Sequence, residues 1–298
     1  MKVAVVGTGR MGSAMARSFA RGGADLIVHN RTPDSARALA TELGAQVADT
    51  AAEAAAGADV AVTMLADGDA VRAMWDGPTG LVAGAHDGGV LVDSSTVPPD
   101  TLASFEATVR ERGSGIVDAP VSGSTMLAEK GQLTIMAGGS AADVDRARPA
   151  FDLVAKGVTH VGPLGSGAAL KLAVNALIFA LNNSVSEALV LAERAGLDRA
   201  LAYDVFASSA AGAPYVGYKR DAFVSPDASG IAFSLDLAAK DLRLIVQLAD
   251  RLGVSMPQSR VNQRIIGDAT ERLGRDRDMS SVAVHLRELI GKETTTPS

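Results

Sequence analysis

The 298-residue chain contains no cysteine. Disulfides, thiolate metal centres and thiol nucleophiles are thereby excluded. Histidine is scarce: His29, His86, His160 and His285 are far apart and lack the spacing of metal ligands. Aromatic residues make up 4% of the chain against 47% hydrophobic residues, so any core must be built from aliphatic side chains and alanine. An excess of positive charge is also missing. The formal net charge is −6, which argues against a nucleic-acid surface. Long apolar runs are absent from the most apolar stretch: Ala176 to Leu181 is its longest, far short of the roughly 18 residues of a membrane span. A strand-like run begins at Lys2, so no secretory leader is expected. These absences lead us to expect a cytoplasmic protein with neither nucleic acid nor membrane as a partner.

What is present is an ordered alternation. KVAVVG at 2–7 is a near-continuous apolar run of the kind found in a central parallel strand. DLIVHNRT, VAVTML (60–65), VLVDSS (90–95), GIVDAP (115–120) and LTIMAG (133–138) are further strand candidates. Helical patterns separate most of them, at about 11–19, 33–43, 68–75, 98–112 and 141–154. Such alternation predicts βαβ units, hence a doubly wound parallel sheet of α/β class. Near Pro163 the pattern changes, and from there only helices are expected, over 166–195, 198–208, 235–252, 259–273 and 280–291. The expected organisation is a Rossmann-type domain over 1–163 and an all-α domain over 164–298, joined by a long interdomain helix. At 298 residues the chain is long for a single core, which agrees with two domains. The tail KETTTPS is polar and expected to fray.

Gly7-Thr8-Gly9-Arg10-Met11-Gly12 is a G-x-G-x-x-G run placed between the first strand and a helix. In that setting Gly7 makes the tight turn, Gly9 lets a pyrophosphate approach the backbone, and Gly12 lets helix and strand pack closely. The helix N-terminus then faces the phosphates. An NAD site usually ends its second strand on an acidic residue for the ribose 2′-hydroxyl. Here the residues are Asn30, Arg31 and Thr32. A guanidinium at Arg31 suits a 2′-phosphate, with Asn30 and Thr32 adding neutral hydrogen bonds, so NADP is expected, with NADPH preferred over NADH. Strand-exit loops line the cofactor crevice of such sheets, which points to Met64 and Leu65 and to Thr96.

The segment from Gly162 to Gly196 predicts one long helix, opened by glycines and closed by one. About 29 residues at ~1.5 Å per residue give a rod of roughly 43 Å. Its apolar run carries Lys171 and Asn175, four apart and so on one face, with Asn182 two turns further on.

GTGRMGSAMA, DSSTV, DAPVSG, GSGAALKLAVN and FSLDLAAKDL occur in the order seen in β-hydroxyacid dehydrogenases, and the chain resembles that family over almost its whole length. The family includes 3-hydroxyisobutyrate dehydrogenase, tartronate semialdehyde reductase, the glyoxylate/succinic semialdehyde reductases and, more distantly, 6-phosphogluconate dehydrogenase. The resemblance implies that Lys171 is the catalytic lysine and Asn175 its partner. It implies a substrate-carboxylate site at Ser122 and Gly123, and a Lys240–Asp241 pair near the nicotinamide. Phe233 resembles an aromatic residue that walls the pocket in the semialdehyde reductases. It also implies a small-molecule carbonyl or hydroxyacid substrate. The apolar length of 176–195 and the helices after it lead us to expect a homodimer or homotetramer. One departure stands out: the family continues DAPVSG with glycine and small residues, whereas this chain has Ser124-Thr125-Met126-Leu127. A side chain at Ser124 is expected to narrow the carboxylate site, and Met126 and Leu127 to add apolar bulk if they face inward.

The chemistry expected of such a site is hydride transfer paired with proton transfer at a carbonyl oxygen. Lys171 can supply the proton as an ammonium and stabilise the developing alkoxide. Two alternatives remain open at this level. One is an imine reductase-like enzyme, although that branch usually carries aspartate or tyrosine in place of Lys171. The other is a non-catalytic NADP-binding regulatory protein, which has no need of the lysine. Tyr215 and Tyr218 are expected in a loop before Phe233.

Overall fold

The structure is a computed structural model that describes residues 1–293, and side chains through 289. It divides into two compact units, Met1–Lys171 and Leu172–Ser298.

The first unit begins with β1 (Lys2–Val6), α1 (Arg10–Arg21), β2 (Asp25–His29), α2 (Pro33–Leu43), β3 (Gln46–Val47) and α3 (Ala51–Ala56). It continues through β4 (Val60–Thr63), α4 (Gly68–Trp75), β5 (Val90–Asp93), α5 (Glu106–Glu111) and β6 (Gly115–Asp118). β7 (Val121–Ser122), α6 (Thr125–Glu129), β8 (Leu133–Gly139), α7 (Ala141–Phe151) and β9 (Ala155–Gly162) complete it, and α8 (Ser166–Arg194) starts within it. The sheet order is β3-β2-β1-β4-β5-β6-β8-β7, with β9 beside β8. From β3 to β6 all pairs are parallel, as the βαβ alternation predicts. Beyond β6 the sheet departs from the expected parallel pattern, because β8 runs antiparallel to both β6 and β7.

The central strands are buried on both faces, which is why they read as uninterrupted apolar runs. On one face, α1 and α7 bury Met15, Phe19, Val144 and Phe151 against Val3, Val5, Val60 and Val90. On the other, Trp75, Leu81, Val97 and Leu102 cover Ala4, Val6, Ala61 and Leu91. Two readings need correction. The helix expected over 98–112 forms only as α5, because Pro98 and Pro99 open a run of turns before it. β9, absent from the expected strands, pairs with β8: only Ala155 and Val158 reach the core, and exposed Lys156, Gly157, Thr159 and His160 break any apolar alternation.

The second unit comprises most of α8 with α9 (Arg199–Ser208), α10 (Pro214–Tyr218), α11 (Arg220–Val224), α12 (Leu235–Arg251), α13 (Pro257–Leu273) and α14 (Val282–Glu293). Leu172, Phe179, Val185 and Leu189 of α8 lie in its core with Tyr203, Phe223, Leu242 and Ile266. Tyr215 and Tyr218 lie on α10 rather than in a loop. Of the tail expected to fray, Lys292 and Glu293 continue α14, and 294–298 lie outside the described residues.

α8 is long and apolar enough, by length and composition, to cross a membrane, with a mean hydropathy of 1.4 over its best window. That corrects the expectation drawn from its short apolar runs. Its buried amides mark it as a core helix. Asn182 Nδ2 donates to Met279 O (3.1 Å) and to Asn183 Oδ1 (3.2 Å), and Asn182 Oδ1 accepts from the Tyr215 hydroxyl at 2.7 Å. Asn183 Nδ2 donates in turn to Asn262 Oδ1 at 3.0 Å. Asn182 is thus the hub of a structural network.

Candidate active site

The glycine turn follows directly from β1. Gly7 takes φ +102°, a region that favours glycine, and a Cβ there would strike Met64 O. A Cβ on Gly12 would strike Gly7 O, so α1 can seat on the turn only with glycine at this position. A Cβ on Gly9 would meet nothing within 4 Å. The backbone there faces open space, where a ligand can approach. α1 has Gly9 as its N-cap, with no side-chain cap and no acidic residue in its first turn. Its first N–H groups point along a positive dipole end, the arrangement that receives a phosphate. Arg10 is exposed beside them and Met11 packs on the core.

Asn30 serves a purpose the sequence did not suggest. Its Oδ1 accepts from Thr8 N at 3.1 Å, while Nδ2 donates to Thr32 O (3.0 Å) and Ser35 Oγ (2.8 Å). Ser35 Oγ also lies 2.8 Å from Thr8 Oγ1, and Ser13 Oγ donates to Thr8 O at 3.0 Å. Asn30 is therefore a strut between the glycine turn and the start of α2. Arg31 is exposed and makes no hydrogen bond or ion pair among the described residues. The Thr32 side chain caps nothing, although the residue sits at the N-cap of α2.

Met64 and Leu65 lie over Gly7, with Leu65 Cδ2 2.9 Å from where a Gly7 Cβ would be. Their loop is held by a buried chain of hydrogen bonds. Leu65 N donates to Ser95 Oγ (2.8 Å), Ser95 Oγ to Asp93 Oδ1 (2.7 Å), and Thr63 Oγ1 to the same oxygen (2.6 Å). Trp75 Nε1 donates to Thr63 Oγ1 at 3.2 Å. Ser95 thereby ties the two strand-exit loops together, with half-buried Thr96 next in sequence.

Ser122 ends β7, and Gly123 follows with φ +139°. In the departure at 124–127 two side chains have local structural partners. Ser124 Oγ caps α6 by accepting from Leu127 N at 3.3 Å. Leu127 packs on the sheet core, since the small residues of α1 leave space beneath α6. Leu127 also flanks the candidate carboxylate turn, its Cβ 3.4 Å and its Cδ1 3.5 Å from where a Gly123 Cβ would be. Met126 remains 56% exposed.

Asp118, which sequence reading passed over, is 3% exposed. Gly165 N donates to its Oδ1 at 2.7 Å and Ala168 N to its Oδ2 at 2.6 Å. Burial pushes its carboxyl up to about 6 against the pull of these N–H groups, and the charge on Asp93 adds to the rise. Lys171 lies one turn beyond Ala168 and is half-buried.

In the second unit, Asn175 Nδ2 donates to Asp241 Oδ2 at 2.8 Å, and Lys240 Nζ lies 2.9 Å from Asp241 Oδ1. The structure thus gathers Asn175, Lys240 and Asp241 into one cluster, with Asp241 buried. Phe233 stacks at a tilt on Phe179 of α8, ring centroids 6.1 Å apart. The segment carrying it is pinned by Asp278, whose Oδ2 accepts from Ala232 N and Phe233 N. Lys219 Nζ bonds both oxygens of Asp278 at 2.7 Å, a buried ion pair that sequence reading did not find. Among the described residues no group of three or more His, Asp or Glu side chains is arranged to hold a metal ion.

Residues 2–162 match the model of the NAD binding domain of 6-phosphogluconate dehydrogenase. Residues 165–286 match that of the NAD-binding region of NADP-dependent 3-hydroxyisobutyrate dehydrogenase. The chain belongs to the β-hydroxyacid dehydrogenase family. It is 31% identical to 2-(hydroxymethyl)glutarate dehydrogenase of Eubacterium barkeri, over 98% of this chain and 96% of that one. It is 32% identical to 3-sulfolactaldehyde reductase of Escherichia coli, over 97% of each. The solved structure of 3-hydroxyisobutyrate dehydrogenase from Salmonella typhimurium superposes with a TM-score of 0.86 at 27% identity, covering 96% of this chain and 99% of that one. Like these β-hydroxyacid dehydrogenases, the chain is an NAD(P)-dependent oxidoreductase of hydroxyacid or semialdehyde substrates.

Proposed function

We propose that this β-hydroxyacid dehydrogenase uses NADPH in preference to NADH and that Lys171 is its proton donor and acceptor. The observation that carries the lysine assignment is local. Lys171 stands in the first turns of α8, whose start is tied by Asp118 to the same DAPVSG segment that leads to Ser122 and Gly123. When bound, the nicotinamide supplies or accepts the hydride. The Lys171 ammonium gives its proton to the substrate oxygen and stabilises the forming alkoxide, and the neutral amine takes the proton back in oxidation. Ser122 and the backbone N–H groups around Gly123 hold a substrate carboxylate. Asn175, one helical turn past the lysine, orients the substrate oxygen, with its amide fixed by Asp241. Lys240 is read as a cofactor contact, and Asp241 and Phe233 as substrate contacts, as the family resemblance implies.

Arg31 supports the NADPH preference, because its guanidinium is exposed and committed to nothing else among the described residues. Leu170, Leu177 and Leu191 lie exposed along α8, which supports burial of that helix in a homodimer or homotetramer. A cytoplasmic location accords with the absence of cysteine.

The test is NADPH oxidation with glyoxylate, succinic semialdehyde, larger aldehydes and a cyclic imine, on the wild type and Lys171→Ala. The variant is expected to bind NADPH normally and to lose at least ~100-fold in turnover. Near-full turnover would refute the lysine assignment. Tight NADPH binding without turnover on any substrate would instead favour a non-catalytic role.

A further inference from the structure

Asp118 closes β6, and its backbone is fixed on both sides. It lies opposite Asp93 of β5 in the parallel ladder and opposite Gly138 of β8 in the antiparallel one. Its carboxylate bridges the start of α8, one oxygen to the N–H of Gly165 before the helix and the other to that of Ala168 in the first turn. Those N–H groups have no partner inside the helix, and an anion at that end opposes the helix dipole. The seat is close. A Cβ on Gly138 would strike Asp118 Oδ1, and one on Gly167 would strike Met136 O and lie 2.9 Å from Asp118 Oδ2. The helix start therefore rests on the sheet with no side chain between them except this carboxylate.

Two parts of the candidate site leave from this point. Downstream of Asp118, buried Ala119 and Val121 lead in four residues to Ser122. Past Ala168, three residues of helix lead to Lys171. We propose that Asp118 is a positioning residue for the reaction: by holding Gly165 and Ala168 it fixes the first turn of α8, and so the Lys171 amine, relative to the Ser122–Gly123 turn. The inference rests on the reading of Lys171 as proton donor.

The tether depends on charge. As a carboxylate, each oxygen accepts one N–H; once protonated, one oxygen becomes a donor facing a donor. The titration lies near pH 6, so the hold loosens as pH falls through that value. Asp93 on β5 is the charge that acts on it; β9 carries Lys156 and His160, α5 and α7 bring Arg110 and Asp143 to the Gly115 end of β6, Asp100 lies in the turn segment whose Pro99 carbonyl abuts Gly165, and α8 carries Lys171.

The experiment compares Asp118→Asn and Asp118→Glu with Lys171→Ala. Asp118→Asn keeps the size but sets an amide NH2 against a backbone N–H. It is expected to lower kcat by about 10- to 100-fold, the usual effect of a misplaced catalytic group, with KM for NADPH changed by no more than about twofold. The primary isotope effect with NADPH deuterated at the transferred position is expected to rise, because the chemical step becomes slowest. Asp118→Glu, whose extra methylene displaces the helix start, is expected to change in the same direction. The wild type is expected to lose kcat on the acid side of about pH 6, a limb that Asp118→Asn lacks. Wild-type kcat per NADPH-binding site in Asp118→Asn would overturn the proposal. So would a loss matched by the binding-competent fraction with no change in isotope effect. Should neither variant fold, the wild-type profile decides: kcat flat from about pH 8 to about pH 5, with circular dichroism unchanged, overturns it. Near-full activity of Lys171→Ala would bring down the reading of the site itself. An inactive Lys171→Ala beside a normal Asp118→Asn brings down only this inference.

Discussion

Replacement of Arg31 by alanine separates the two cofactors most sharply. The wild-type guanidinium is exposed and breaks no ion pair to engage a ligand, so its loss should leave the fold untouched. A 2′-phosphate carries close to two negative charges. At ~4 Å each charge pair is worth about 1 kcal/mol in bulk water and about 4 kcal/mol near a protein surface of lower dielectric. The exposure of Arg31 places it toward the lower figure. A charge-assisted hydrogen bond of ~1.5–3 kcal/mol gives the same range. Taking about 2–3 kcal/mol, kcat/KM for NADPH should fall about 30- to 150-fold, whereas that for NADH should change by less than about threefold. The assay is steady-state kinetics with both cofactors at one saturating aldehyde, at low and high ionic strength, with thermal melting as a control. Added salt should shrink the wild-type preference and leave the variant nearly indifferent. Equal losses for both cofactors, or a loss confined to NADH, would refute the assignment of Arg31 to the 2′-phosphate.

Asn30→Ala removes the acceptor for Thr8 N and both donors to Thr32 and Ser35. At about 1 kcal/mol per bond, it should raise KM for NADPH and NADH together by roughly 10-fold or more in parallel titrations; an effect on NADPH alone would mean that Asn30 reads the phosphate. Lys219→Met strands Asp278, whose carboxyl burial would push up but which Lys219 and the surrounding N–H groups hold below the usual carboxylate range. Because the Ala232, Phe233 and Ser280 N–H groups stay in place, the cost should be near ~3 kcal/mol, seen in scanning calorimetry as a fall of about 6–12 °C in Tm. A fall of less than about 2 °C would show that the buried pair contributes little.

Much of the first unit was legible because burial on both faces leaves a mark in sequence. β1, β4, β5 and β6 read as apolar runs because both faces are buried, with Thr63, Asp93 and Asp118 as hydrogen-bonded exceptions at the strand ends. β9 left no such mark, being a strand only through β8. The glycine turn was legible because its spacing is dictated by backbone crowding at Gly7 and Gly12. Asn30 was assigned to the ligand because the second strand ends there. Its bonds to Thr8 and Ser35 become apparent only once α2 folds back over the turn. Asp118 and the Lys219–Asp278 pair were missed for one reason: their partners stand 47, 50 and 59 residues away, beyond any periodicity or local motif.

The bond chain beneath the Met64–Leu65 loop has a spectroscopic consequence. Trp75 is the only tryptophan in the chain, it is fully buried, and its indole N–H ends that chain at Thr63. The same bonds continue through Asp93 and Ser95 to the backbone N–H of Leu65. One intrinsic fluorophore is therefore wired to the loop that overlies the glycine turn. Its emission offers a label-free signal of events at that loop, and a Thr63→Val variant would cut the wire while leaving the dye in place.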